Sequence, residues 1–394
     1  MKYCIQCGTQ LDADANFCRY CGARQDQTQA PQEAAQNSSG QDSILSSFTR
    51  SINELTTGKN ESVHPPMREM FSQVFKSHSQ NDAETIFACG TPDTTPPLTT
   101  TNAKWPQPWL WSRVLVGLGA AFLMSMLCLE AFANTNALPG IIILGSFMVP
   151  VAVLVFFFEL NTPKNISFYT VLKVFLVGGC ASLLFTLFLF EIAPDTESAY
   201  VWAIIIGIVE EMGKAGIVYA FIQREKDAKY HINGLLIGAA VGAGFAAFES
   251  AGYALNYLLQ SGYETMMDVI FLRAVLAPGG HVVWAAMSGY AMMIAKDNKP
   301  LEANVLVQKP FLKIFAIPVI MHAVWDMPLI VSIDFPIIQV ILCILSWIFI
   351  FVMINNGLSL LSEHVANPDP TIKSVPPQPQ PQMAQTMLDP ASDL

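Results

Sequence analysis

From Trp109 onward the apolar positions gather into runs, each close to the roughly 20 residues that cross a bilayer as a helix. Eight such runs cover about residues 112–133, 139–158, 168–190, 200–222, 232–258, 267–295, 311–331 and 335–361. The stretch GLLIGAAVGAGFAAFESAG places Gly and Ala at helix-packing spacing, which in lipid lets backbones approach closely. Ahead of the runs the pattern changes. Residues from about 27 to 108 are rich in Gln, Ser, Thr, Asn and Pro, too polar to bury a core, and predict a largely disordered linker. Within it, ILSSFTRSINEL and MREMFSQVFKSH have the apolar spacing of a short amphipathic helix, such as one lying on a membrane surface. The expected fold is an all-α polytopic membrane protein of about eight transmembrane helices at 109–362. A small four-cysteine domain at 1–25 and the linker at 26–108 precede it, and a disordered Pro-rich tail (VPPQPQPQ) at 363–394 follows.

Composition agrees with this reading. Of 394 residues, 52% are hydrophobic and 13% charged, against about 25% charged in soluble proteins. The net charge of -10 resides largely in the flanks and short loops, and gives no basic footprint for nucleic acid. Lys and Arg mark cytoplasmic loops. The loops NTNAL, EIAPDTES, LQSGYET and SIDF have none, while the intervening loops carry Lys164, then Arg224, Lys226 and Lys229, then Lys296, Lys299 and Lys309. This alternation places both termini in the cytoplasm. The opening MKYCIQCG, polar for about 100 residues, lacks the basic start and apolar stretch of a secretory signal.

Cys4-x2-Cys7, ten residues, then Cys18-x2-Cys21 supplies four thiolates in two knuckles, each followed by glycine. That is the donor set of a tetrahedral structural Zn2+, the alternative being a pair of disulfides, which the cytosol disfavours. About 25 residues cannot fold on an apolar core alone, so the metal supplies most of the folding free energy, and with every position taken by Cys the site is closed to catalysis. The stretch resembles the short zinc ribbons at the N-termini of many bacterial membrane proteins. Of the other cysteines, Cys128, Cys180 and Cys343 fall in apolar runs and read as small buried hydrophobes.

A charge near mid-membrane costs about 2.5 to 3.5 kcal/mol on insertion scales, so such residues face each other or a watery cavity. Four consecutive runs carry them: Glu210, Glu211 and Lys214 in the fourth, Glu249 in the fifth, Arg273 and His281 in the sixth, and His322 and Asp326 in the seventh. A Pro278-Gly279-Gly280 break directly precedes His281. Singly, Lys214 reads as a neutraliser of one acid, a lone His as a donor to a carbonyl, and His322 with Asp326 as a packing pair. Together, two histidines and several carboxylates at similar depth match the ligand set of a divalent metal with a general base.

The EExxK of Glu210 to Lys214, the FAAFES around Glu249, the RAVLAPGGH ending in His281 and the HAVWD of His322 to Asp326 resemble, in order, the motifs of the PrsW family of intramembrane metalloproteases, over about 120 residues. The family is distantly similar to the CAAX prenyl endopeptidases, whose motifs are EExxxR, FxxxH and HxxxN. This chain departs from that wider pattern at Glu249, at Asp326 and in the spacing of Lys214. The resemblance implies peptide hydrolysis in membrane-anchored protein substrates, in signalling such as cleavage of an anti-sigma factor. It also implies Glu210 as base with Glu211 as proton-sharing partner, in roles the two can exchange. His281 and His322, with Glu249 as third candidate, then hold a catalytic divalent metal such as Zn2+ or polarise water and carbonyl without one. Lys214 holds charge on one acid, Asp326 fixes the tautomer of His322, and Arg273 stabilises an acid or the substrate backbone. The expected partners are the bilayer, the substrate and a cytoplasmic partner of the ribbon. Two other classes fit the same polar residues: a proton- or ion-coupled transporter, for which no inverted repeat is found, and a non-catalytic scaffold recruiting a partner through the ribbon.

Overall fold

Apolar runs of bilayer length satisfy their backbone only as helices, and each becomes a helical passage. The computed structural model describes residues 2, 3, 10, 11, 44–101, 103–297, 299–329 and 336–366. Contacts divide the chain into two units, Met1–Ser43 and Ile44–Leu394. In the first, β1 (Lys2–Tyr3) and β2 (Gln10–Leu11) pair antiparallel, Lys2 opposite Leu11 and Tyr3 opposite Gln10. Cys4, Cys7, Cys18 and Cys21 lie outside the described residues, as do 26–43 and the tail beyond 366.

The second unit opens with α1 (Ile44–Thr57), the single turn α2 (Met67–Met70) and α3 (Gln80–Phe87). There follow α4 (Leu110–Phe132), α5 (Leu138–Leu160) and α6 (Phe168–Lys173), which continues through a π turn at Val174–Gly178 into α7 (Gly179–Glu191). Then come α8 (Ala199–Arg224) and α9 (His231–Ser261), with α10 (Tyr263–Leu276) passing through a 3-10 turn at Ala277–Gly279 into α11 (His281–Lys296). The last two are α12 (Lys309–Asp326) and α13 (Ile337–Ala366). Among the described residues six passages are long and apolar enough to cross a membrane. The exceptions are α8 and α12, the helices that carry Glu210, Glu211 and Lys214 and His322 and Asp326. Their polarity is tolerated because other helices surround it: Glu211 and Lys214 have no exposure at all.

Helix α9 is the hub, packing on α5, α7, α10 and α11 and buried along most of its length. Close approach at two glycines fixes the site. A Cβ on Gly242 would strike the carbonyl of His281, and one on Gly207 would lie 2.8 Å from the amide of Ala323, beside His322. Only glycine allows α9 to reach α11, and α8 to reach α12, at these levels. The basic-loop ends of the helices are tied by a buried triad. Asn233 donates to Asn161 and Asn165, while its carbonyl oxygen accepts from Asn165 and from the amides of Lys229 and Tyr230.

The expected linker is corrected from Ile44 onward. Helix α1 does form from ILSSFTRSINEL, but it lies on α13 of the protein itself. Phe48, Ile52 and Val63 pack on Phe349 and Val352, and Asn356 donates to Thr56. Ala83, Ile86 and Phe87 of α3 pack on Trp109, Leu110 and Val155, and His78 stacks on Trp109 at 3.7 Å. Glu159 completes the attachment by accepting the amides of Trp109, Leu110 and Trp111 at 2.8–2.9 Å, the donors that a helix N-terminus leaves unpaired. A polar average hides a few anchors, and these suffice to dock the segment.

Candidate active site

In α8, Glu210 and Glu211 follow one another and so point about 100° apart around the helix. Lys214, one turn on, reaches both, with Nζ 2.6 Å from Glu211 Oε1 and 3.7 Å from Glu210 Oε2. Glu211 is committed twice, because its Oε1 also meets His322 Nδ1 at 2.8 Å. Glu210 is turned the other way. Its Oε2 is buried without a hydrogen-bond partner and faces His322 Nε2 at 3.6 Å and His281 Nδ1 at 4.0 Å.

The two imidazoles are each gripped from behind. His281 Nε2 lies 3.1 Å from Glu249, while its Nδ1 accepts from Lys214 at 2.8 Å. With Lys214 donating there, the ring proton sits on Nε2 and goes to Glu249. Glu249 is in turn held by Arg273, whose Nε donates to Ser250 at 2.8 Å and whose guanidinium also covers the ring of Tyr253. On the other imidazole, Nδ1 donates to Glu211, which leaves the Nε2 lone pair facing two carboxylates, Glu210 and, at 3.3 Å, Asp326. A lone pair between two carboxylates is repulsive unless a proton or a cation stands there.

All seven sequence-predicted residues, and Arg273, thus join one network. It borders a cavity of about 240 Å3 walled by Phe190, Trp202, Ile206, Tyr253 and Trp325. The metal-capable grouping among the described residues is Glu210, His281 and His322, with one ligand atom from each within 4.8 Å of the others. Glu249, expected as the third ligand, is outside that grouping and occupied with Arg273 and His281. The donor set fits a divalent cation: an orphaned buried carboxylate oxygen, two imidazoles converging on it, and a carboxylate behind each imidazole, the arrangement that orients metal-binding histidines.

Sequence reasoning missed the aromatic frame. Trp284 is buried, 4.8 Å from the His322 ring and 5.5 Å from the His281 ring, and its indole N–H is fixed on Ser346. Phe245 lies 4.5 Å from Lys214 Nζ and 5.1 Å from the His281 ring. The available signal was spacing, since Trp284 and Trp325 each follow a site histidine by three residues.

Comparison with known proteins reaches the same segment. Residues 3–25 match the zinc-ribbon domain. Protease PrsW of Halalkalibacterium halodurans is 27% identical over 180 residues, covering 44% of this chain and 77% of that protein. Protease PrsW of Clostridioides difficile is 26% identical over 182 residues, covering 44% and 73%. No solved structure matches the chain. The match to the PrsW family intramembrane metalloprotease runs over residues 166–354, just under half of the chain, and takes in every residue of the network above; over this segment the chain is similar to that family of membrane peptidases, and it carries a zinc-ribbon match at its N-terminus.

Proposed function

We propose that Glu210, His281 and His322 form the hydrolytic centre of an intramembrane metalloprotease acting on membrane-anchored proteins. The observation that carries this reading is the unpartnered oxygen of Glu210, a residue that lines the cavity, facing one nitrogen of each histidine. A divalent cation held by these three residues, with zinc the favoured metal for such a donor set, supplies a Lewis acid that lowers the pKa of water and polarises a carbonyl. Glu210, through the carboxylate oxygen not given to the cation, rather than Glu211 takes the proton from the attacking water, because Glu211 is fully buried and locked between Lys214 and His322. Glu211 and Glu249 are positioning residues that set the tautomers of His322 and His281. Arg273 holds Glu249, Asp326 lies 3.3 Å from His322 Nε2 nearer the cavity mouth, and the proton that Glu210 takes from water passes on to the departing amine nitrogen, which leaves as the neutral amine.

The cavity is lined from the helix ends next to the loops that lack Lys and Arg, with Phe190 near the end of α7, Trp202 near the start of α8 and Asp326 at the end of α12. By the positive-inside rule that side faces away from the cytoplasm. Substrates are therefore cut toward the outer leaflet, as befits release of a membrane-anchored signalling protein such as an anti-sigma factor, while the ribbon, holding one Zn2+ on Cys4, Cys7, Cys18 and Cys21, meets its partner in the cytoplasm. The test is the purified full chain in liposomes with single-span peptides, the products sized by mass spectrometry. Cuts in the outer half of the span, lost in His281→Ala, are expected. Cuts unaffected by His281→Ala, or proton or ion flux without cleavage, would overturn the assignment.

A further inference from the structure

A lone pair accepts one partner at a time, and one lone pair in the site has two claimants. His281 Nδ1 is the nitrogen that faces Glu210 Oε2, at 4.0 Å, and it is also the acceptor for Lys214 Nζ at 2.8 Å. The ring's other nitrogen is no substitute, because Nε2 is 3.1 Å from Glu249 and directed at a carboxylate already paired with Arg273. Lys214 is itself placed as a cation among the same donors: 2.6 Å from Glu211, 3.7 Å from Glu210 and 4.5 Å from the face of Phe245, without exposure to solvent.

We propose that Lys214 is an internal competitor for the metal: its ammonium and the divalent cation are alternative partners of His281 Nδ1, so the site fills only when Lys214 withdraws onto Glu211. This rests on the assignment of Glu210, His281 and His322 as the metal-holding residues. It makes Lys214 a positioning residue that lowers metal affinity, beyond the charge-balancing part that the EExxK spacing suggests. Glu211 is the resting place for the displaced ammonium, since its bond to Lys214 does not involve His281.

The test is zinc affinity of the full chain in detergent, titrated against a chromophoric chelator, with the tight four-thiolate equivalent of the ribbon common to all variants. Lys214→Met removes the competitor but strands the Glu211 charge, so the decisive variant is Glu211→Gln with Lys214→Met. This double variant keeps an oxygen acceptor for His322 Nδ1 and leaves the formal charge of the Glu210, Glu211 and Lys214 group unchanged. Freeing His281 from a charge-assisted hydrogen bond is expected to tighten binding of the second equivalent roughly ten- to a hundredfold. The His281→Ala/His322→Ala variant is expected to lose that equivalent altogether. A second equivalent seen only when Lys214 is replaced would support the competition in its strongest form. Equal affinity in wild type and the double variant would overturn the competition while leaving the metal site standing. A second equivalent retained without both histidines would overturn the metal site itself, and the competition with it.

Discussion

Glu210 and Glu211 are neighbours in sequence with opposite duties, and mutation should separate them. Replacing Glu211 by Ala leaves Lys214 buried without its closest counter-ion, a loss of about 3–5 kcal/mol for a broken buried pair. Thermal unfolding in detergent should register it as a marked fall in midpoint for Glu211→Ala and a smaller one for Glu210→Gln; equal midpoints would mean that the Lys214–Glu211 pair does not hold the centre. Arg273 acts only through Glu249 in this account, so Arg273→Met and Glu249→Gln should each lower peptidase activity by roughly 10- to 100-fold. The double variant should be no worse than the poorer single one, because both cut the same chain of contacts; multiplied effects would show two separate functions. The EExxK grouping was legible in the sequence because helical periodicity alone brings Lys214 to both acids. The Glu249–Arg273 pairing was not. Its members are separated by 23 intervening residues and the reversal at Gly262, whose φ of 91° lets α10 turn back on α9. Depth in the membrane suggested a ligand at Glu249, and only the fold shows its carboxylate already taken.

At the scale of elements, the site is held by helices that touch where a side chain is missing. Gly207→Ala puts a methyl 2.8 Å from the Ala323 amide and 2.9 Å from the Val319 carbonyl oxygen, so α8 and α12 must separate and carry Glu210 away from His322. Gly252→Ala, on α9 with nothing within 4 Å of the new methyl, is the matched control. Activity should fall at least tenfold in the first, as expected for misplacing catalytic groups by a fraction of an ångström, and remain near wild type in the second. Comparable rates in both variants would remove the α8–α12 contact from the account. The apolar runs foretold the helical passages well because length and hydrophobicity are local properties. The docking of α1 and α3 was hidden because it depends on a few anchors, Phe48, Ile52, Ile86 and Phe87, meeting particular positions on α13, α4 and α5. No average over a polar segment contains that information.

At the scale of the molecule, the Lys and Arg alternation predicts an eight-span topology with cytoplasmic termini. Reporter fusions after about residues 136, 195, 262 and 334 should sit in the outer compartment, and a cytoplasmic signal at two or more would invert the proposed side of access. The ribbon should be separable: replacing Cys4 and Cys7 by Ser is expected to release one zinc and leave cleavage by the membrane domain intact, and its complete loss in a folded protein would make the ribbon part of the active unit. Both units were named by local spacing of chemically distinctive residues, whereas the metal grouping of Glu210 with the two histidines required the crossing of α8, α11 and α12. The most direct measurement of the central claim is the rate at which purified Glu210→Gln cleaves a transmembrane peptide in liposomes, with folding verified by its unfolding midpoint. Loss of a general base predicts a fall of roughly 10²- to 10⁴-fold in a protein that remains folded, and cleavage at the wild-type rate would contradict the assignment of this site.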